Sequence, residues 1–159
     1  MNSKEDWDIY WSRPYSRYEQ HQQWFWDNAY PFIKQPILDI GCGPASMWKG
    51  QDYDVTGFDY SPQAIAEAQK NYPKGKFFVS SIEDYTPSDK FSTVISCGVV
   101  HYFYPENLKV VRDAHVNSAK DRIIISLNTP VDLNLFTDWG NLVHAVFKDR
   151  VGWLLVFDR

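Results

Sequence analysis

Apolar residues recur in two rhythms along this 159-residue chain. Near its start they come at helical spacing: Trp7, Tyr10 and Trp11 stand at i, i+3 and i+4, and Tyr15 and Tyr18 at i and i+3. Pro14 interrupts the stripe, because proline lacks the N–H that a helix interior needs. The pattern predicts an aromatic helical cover over residues 1–33 that packs on the domain, closes over a ligand, or does both. From Ile37 the rhythm changes to short apolar runs separated by helical segments. Strands are predicted at 37–40, 54–58, 76–80, 93–97 and 122–127. Between them, residues 62–72 carry Ile65, Ala66 and Ala68 with Ser61 as N-cap, and residues 105–118 carry Leu108, Val111 and His115 on one helical face. Residues 151–158 read as a final strand, with the 143–147 run as its partner or with none. Strand and helix in alternation predict an α/β fold around a mostly parallel sheet.

Composition narrows the reading. A chain of this length makes one domain, with no repeat, low-complexity segment or linker to divide it. The aromatic fraction of 17% is high, and nine of those rings fall in residues 1–30, so the cover has much to bury. A net charge of −4 with no Lys/Arg run disfavours nucleic acid as a partner. No stretch of eighteen apolar residues and no signal-peptide pattern occurs, so neither a membrane nor secretion is expected and the chain reads as cytoplasmic. Cys42 and Cys97 lack the spacing of a metal site, and His21, His101, His115 and His144 are scattered; free buried thiols and no bound metal are expected.

The chemistry concentrates at two strand ends. Ile37–Pro44 reads ILDIGCGP, an apolar strand running into the turn Gly41-Cys42-Gly43, where a ligand can approach bare backbone. Pro44 suits the first position of a helix. Nucleotide enzymes with a pyrophosphate use a similar turn, but Ser46 replaces the third glycine of that pattern. Asp39, two residues before the turn, would repel phosphate and calls for a cation nearby. Asp59, at the end of the second strand, is placed for a charge-assisted bond to a ribose diol, or else for a surface turn before Pro62. Tyr60 beside it lies against an adenine face or is a partly exposed core aromatic.

These segments resemble the class I S-adenosylmethionine-dependent methyltransferases. ILDIGCGP is similar to the family's glycine motif, VTGFDYSPQAIAEAQKN to its acidic ribose motif, FFVSSIEDY to its adenine motif, and FSTVISCGVVHYF to its fourth-strand motif. The resemblance implies S-adenosylmethionine as cofactor and a Rossmann-like sheet of about seven strands, one antiparallel, with helices on both faces. It implies that the main chain of Gly41 and Cys97 meets the methionine end, Asp59 the ribose, and Ser81 with the backbone of Ile82 the adenine edge. Ser81 stands where the family often has Asp or Asn, which shifts weight onto Glu83 or Asp84. Residues 34–127 form the cofactor-binding core. A helix after the glycine loop is expected to be almost a turn short, and residues 128–159 hold a pared-down helix and two strands.

Methyl transfer needs in-line positioning, exclusion of water and, where the nucleophile carries a proton, a base. His101, just beyond the fourth strand, is the candidate base, or else a histidine bonded to backbone at a strand end. Tyr18 is the first candidate for a cation–π contact with a sulfonium, ahead of Tyr10 and Tyr15; Arg13 and Arg17 are candidates for an acidic acceptor or are ordinary surface charges. The VVHYFYP segment lacks the Asn/Asp-Pro-Pro-aromatic tetrad of base-amino methylation. The expected activity is therefore methyl transfer to a small-molecule acceptor. The alternatives are a binding subunit without turnover, an enzyme that cleaves or otherwise uses S-adenosylmethionine, and a nicotinamide oxidoreductase. The short C-terminal part leaves room for a homodimer or partner protein to complete the pocket.

Overall fold

Every residue of Ile37–Ile40 is buried, as a central strand of a parallel sheet requires when both of its faces are covered. The computed structural model describes residues 3–11 and 16–159, without the side chains of residues 16–19. Two helices come first, α1 (Lys4–Trp11) and α2 (Ser16–Ala29). The alternating part follows as β1 (Ile37–Ile40), β2 (Val55–Asp59), α3 (Pro62–Asn71), β3 (Lys76–Val79), β4 (Phe91–Ser96), α4 (Leu108–Ser118) and β5 (Ala119–Leu127). A hairpin of β6 (Asn141–Lys148) and β7 (Gly152–Asp158) ends the chain.

The strands form one seven-stranded sheet in the order β3-β2-β1-β4-β5-β7-β6. β7 pairs antiparallel with β5 and with β6, while the pairs among β1 to β5 are parallel, so β7 is the strand that runs against the others. The run at 143–147 thus has its strand, and the expected Rossmann-like architecture is present. Arg122 and Asp158, opposite each other across β5 and β7, form an ion pair at 2.7 Å that fixes this register.

Alternate residues of each strand serve opposite faces. On one face Leu38, Ile40, Val94 and Ile123 meet Leu108, Val111 and Ala114 of α4, with Phe136 and Trp139 beside them. On the other, Ile37, Ile95 and Ile124 meet Phe25 and Ala29 of α2 and Ile65 and Ala68 of α3. Ser61 caps α3, its hydroxyl accepting the Ala64 N–H at 3.1 Å.

Two expected helices are missing. Between β1 and β2 the chain makes only a 3₁₀ turn, Ser46–Trp48, and Pro44 does not begin an α-helix. Ala45 sits at φ 54° and Gly50 at φ 77°, left-handed positions that turn the chain back where a helix would continue. The space is filled by one side chain, the fully buried Trp48, edge-on to Trp26 at 5.9 Å. Between β5 and β6 the expected helix is likewise reduced to a 3₁₀ turn, Leu133–Phe136, whose Phe136 packs with Trp139 at 5.3 Å.

If Trp48 stands in for a helix, Trp48→Ala destabilises the domain by about 3–5 kcal/mol, the usual loss for removing a buried Trp. Urea unfolding followed by circular dichroism measures it, and a loss below about 1 kcal/mol contradicts the assignment.

Candidate active site

In an open parallel sheet a crevice forms where neighbouring strand connections leave toward opposite faces. The chain after β1 and β2 packs with α2 and α3, whereas the chain after β4 leads to α4 on the other face. At that divide lies a cavity of about 730 Å³, within the roughly 300–1,000 Å³ usual for small-ligand sites. Its wall crosses the sheet. Ser81, Ile82, Glu83 and Asp84 follow β3, Asp59 and Tyr60 end β2, and Gly41 follows β1. Cys97 and Gly98 follow β4, Asn128 follows β5, and Arg150 comes from the β6–β7 turn. The N-terminal segment adds Trp7, Tyr10 and Trp11 from α1 and His21 from α2.

Asp59 ties the β1 and β2 side of this wall together. Its Oδ2 accepts the Gly43 N–H at 2.9 Å and its Oδ1 accepts the Ser61 N–H at 3.0 Å. One buried carboxylate therefore joins the glycine loop to the start of α3. Ser61 in turn donates its hydroxyl to Asp8, which brings α1 to the same corner. Burial raises the Asp59 carboxyl to about 6 against the pull of these amides, and Asp8 adds to the rise. Gly41, at φ 69°, has no room for a side chain: a Cβ there would stand 2.5 Å from Val99 Cγ2.

Three residues proposed from the sequence for this site lie behind its wall. Asp39 does not line the cavity; its partner is the neutral indole of Trp48, whose Nε1–H it accepts at 2.7 Å, in place of the expected cation. Burial holds its carboxyl up to about 7, with Trp48 pulling the other way and the Asp59 charge adding to the rise. Gly43 spends its N–H on Asp59, and Cys42 is buried beneath the loop. Both cysteines are free thiols, pushed well up by burial and then by the Asp39 charge. Tyr18 has a side chain outside the described residues, as do Arg13, Tyr15 and Arg17.

At the other end His101, on the 3₁₀ turn Val100–Tyr102, lines the cavity. Burial first and His21 second lower it to about 4, so the ring is neutral at physiological pH. Its Nδ1 is sealed from solvent without a hydrogen-bond partner among the described residues. Next to it is a group that the sequence reading missed. His21 Nε2 and Ser126 Oγ are hydrogen-bonded at 3.1 Å, and that hydroxyl accepts the Gly98 N–H at 2.9 Å. His115, by contrast, belongs to the core. It is wholly buried, its Nδ1–H donates to the Val111 carbonyl at 2.7 Å, and its Nε2 accepts from the Ser96 hydroxyl at 2.9 Å.

A family profile described as "Methyltransferase domain" matches residues 37–118, just over half of the chain, and covers the strand tips from Gly41 to His101. The chain belongs to this methyltransferase family. Among curated proteins, tRNA U34 carboxymethyltransferase of Shewanella denitrificans is 31% identical over 98 residues, covering 53% of this chain; the match spans only 30% of that protein's length. Solved structures share the fold. A TehB-like SAM-dependent methyltransferase of Corynebacterium glutamicum superposes with a TM-score of 0.65 at 20% identity, over 91% of this chain and 99% of that one. Magnesium protoporphyrin IX methyltransferase of Synechocystis with bound SAM gives 0.70 at 16%, over 92% and 84%.

The cavity of this family member suits S-adenosylmethionine, which the Synechocystis structure holds. A buried carboxylate, a side-chain-free approach at Gly41 and a wall of half-buried Ser81 and buried Ile82 occupy neighbouring strand ends of one cavity. Among the described residues no group of three or more His, Cys, Asp or Glu side chains is arranged to hold a metal ion, and no helix is long and apolar enough to cross a membrane.

The raised Asp39 carboxyl makes a pH prediction. A native state that binds its proton more tightly than the unfolded chain carries a cost that is absent below about pH 4 and complete above about pH 7. Asp39→Asn keeps an acceptor for Trp48 and removes that cost. Between pH 4 and pH 8 the stability difference should therefore shift in favour of the variant, by up to about 4 kcal/mol. Thermal melts of both proteins across this range check it, and a difference that does not change with pH refutes it.

Proposed function

We propose that the chain transfers the methyl group of S-adenosylmethionine to a small-molecule acceptor bound beside β4 and β5. One observation carries this reading: a single cavity holds, at one end, the Asp59 carboxylate with the glycine loop and, at the other, a separate neutral wall of His21, His101 and Tyr102. On this reading Asp59 holds the ribose diol, Tyr60 lies along the adenine, and Ser81, Ile82 and Glu83 meet its edge. Gly41 and Cys97 offer main chain to the methionine end. Asp39 and Cys42 act from beneath, by shaping the loop. When bound, the donor supplies an electrophilic methyl carbon on a sulfonium. The protein aligns the acceptor and excludes water, which Trp7, Tyr10 and Trp11 support from the N-terminal side.

The curated relative named for tRNA keeps a second acceptor class in view. A net charge of −4 argues against a phosphate-backbone footprint, so transfer of label to small molecules but not to total tRNA is the expected outcome of an acceptor screen. Accumulation of S-adenosylhomocysteine with an acceptor present separates turnover from a binding subunit.

Asp59→Ala should weaken S-adenosylhomocysteine binding by roughly 10–100-fold, the 1.5–3 kcal/mol of a hydrogen bond to a charged group. Calorimetry measures it on protein whose circular dichroism is unchanged. Unaltered affinity would remove Asp59 from the donor site.

A further inference from the structure

We propose that the methyl acceptor is a small carboxylate, whose anionic oxygen is the nucleophile and is held between His101 and Arg150. The inference rests on the donor reading above, since it assigns the half of the cavity that the donor leaves free. Strand order sets the two ends apart. Glu83, Asp84 and Asp59 lie at the β3 and β2 tips, whereas Arg150 leads into β7, four strands beyond β2. At about 4.8 Å per strand that separates the acidic end from Arg150 by roughly 19 Å. Arg150 is the single Lys or Arg among the described lining residues, and it makes no ion pair among them.

His101 points the same way. Among the described residues its Nδ1 is sealed and unbonded, while its Nε2 has no partner either and is not sealed, so it is the nitrogen open to a ligand. A buried N–H without an acceptor is rarer in proteins than a buried lone pair without a donor. The proton therefore belongs on Nε2, and His101 presents an N–H to the cavity. A ring that donates there recognises an oxygen lone pair.

Among the described residues of this half of the wall, none presents a free basic lone pair to the acceptor, since His101 offers an N–H there. His21 is committed to Ser126, and both histidines are depressed by burial. The Cys97 thiol and the Tyr102 phenol are raised. A nucleophile that already lacks its proton, as a carboxylate does at neutral pH, needs no such group. In the transfer one carboxylate oxygen forms a bond to the methyl carbon as the carbon–sulfur bond breaks, and that bonding pair stays on sulfur. No proton is released. A sulfonium and a carboxylate become a neutral thioether and a neutral methyl ester, and a low-dielectric cavity favours such loss of charge.

The test uses protein saturated with S-adenosylhomocysteine, titrated by calorimetry with benzoate, phenylacetate and hexanoate against their amides, with phenyl phosphate as a second kind of anion. The same compounds are then incubated with S-adenosylmethionine and analysed by mass spectrometry. At least one carboxylate should bind tenfold or more tightly than its amide and emerge as its methyl ester. Arg150→Asn, which suits a left-handed backbone at φ 62°, should abolish that preference without changing S-adenosylhomocysteine affinity, and Arg150→Lys should retain it. Amides that equal their carboxylates throughout, a preference for phenyl phosphate alone, or a preference that survives Arg150→Asn overturns the proposal. Failure of S-adenosylhomocysteine itself to bind overturns the donor reading, and this inference with it; intact binding without carboxylate preference overturns this inference alone.

Discussion

A sheet whose central strands are apolar on both sides has to be covered on both sides, and this chain has few residues to do it with. Its two short connections, after β1 and after β5, hold a 3₁₀ turn each where a helix was expected. Single large rings take over: Trp48 on one face, Phe136 and Trp139 on the other. The aromatic excess near the N-terminus has the same cause. Phe25, Trp24 and Trp26 of α2 pack around Trp48, so a helix from before the sheet covers a face that the β1–β2 connection leaves open.

That arrangement reaches into the site through Asp39. Its carboxylate faces the covering ring, away from the cavity, so the residue that anchors Trp48 also sits under the glycine loop. Asp59 then closes the loop from the other side and, through Ser61 and Asp8, draws α1 to the same corner. Core packing and the cavity wall are thus joined by two carboxylates, both buried and both raised by that burial.

Much of the fold was legible because it is local. Apolar runs such as Ile37–Ile40, the Ser61 cap and the alternation of elements depend on near neighbours in the chain, and the four motifs that resemble class I methyltransferases fall in order along it. The lining of the cavity was legible where a residue sits at a strand tip. It was not legible where the contact is made by folding. His21 meets Ser126 across 105 positions of sequence, and no spacing announces such a pair. Pro44 suggested a helix start, but Ala45 turns left-handed immediately after it. Asp39 suggested a cation, and only the turn of the β1–β2 connection brings the Trp48 indole to it.

The cavity is assembled from three stretches of chain. Strand tips from Gly41 to Tyr102 furnish one side, Asn128 and Arg150 come from the late loops, and Trp7, Tyr10, Trp11 and His21 reach it from ahead of the first strand. Because Asp8 in the leading helix bonds Ser61, which Asp59 also holds, a substitution in those turns is felt at the β2 tip as well as on the wall they form, so a leader grafted from a relative has to keep the partner of Ser61.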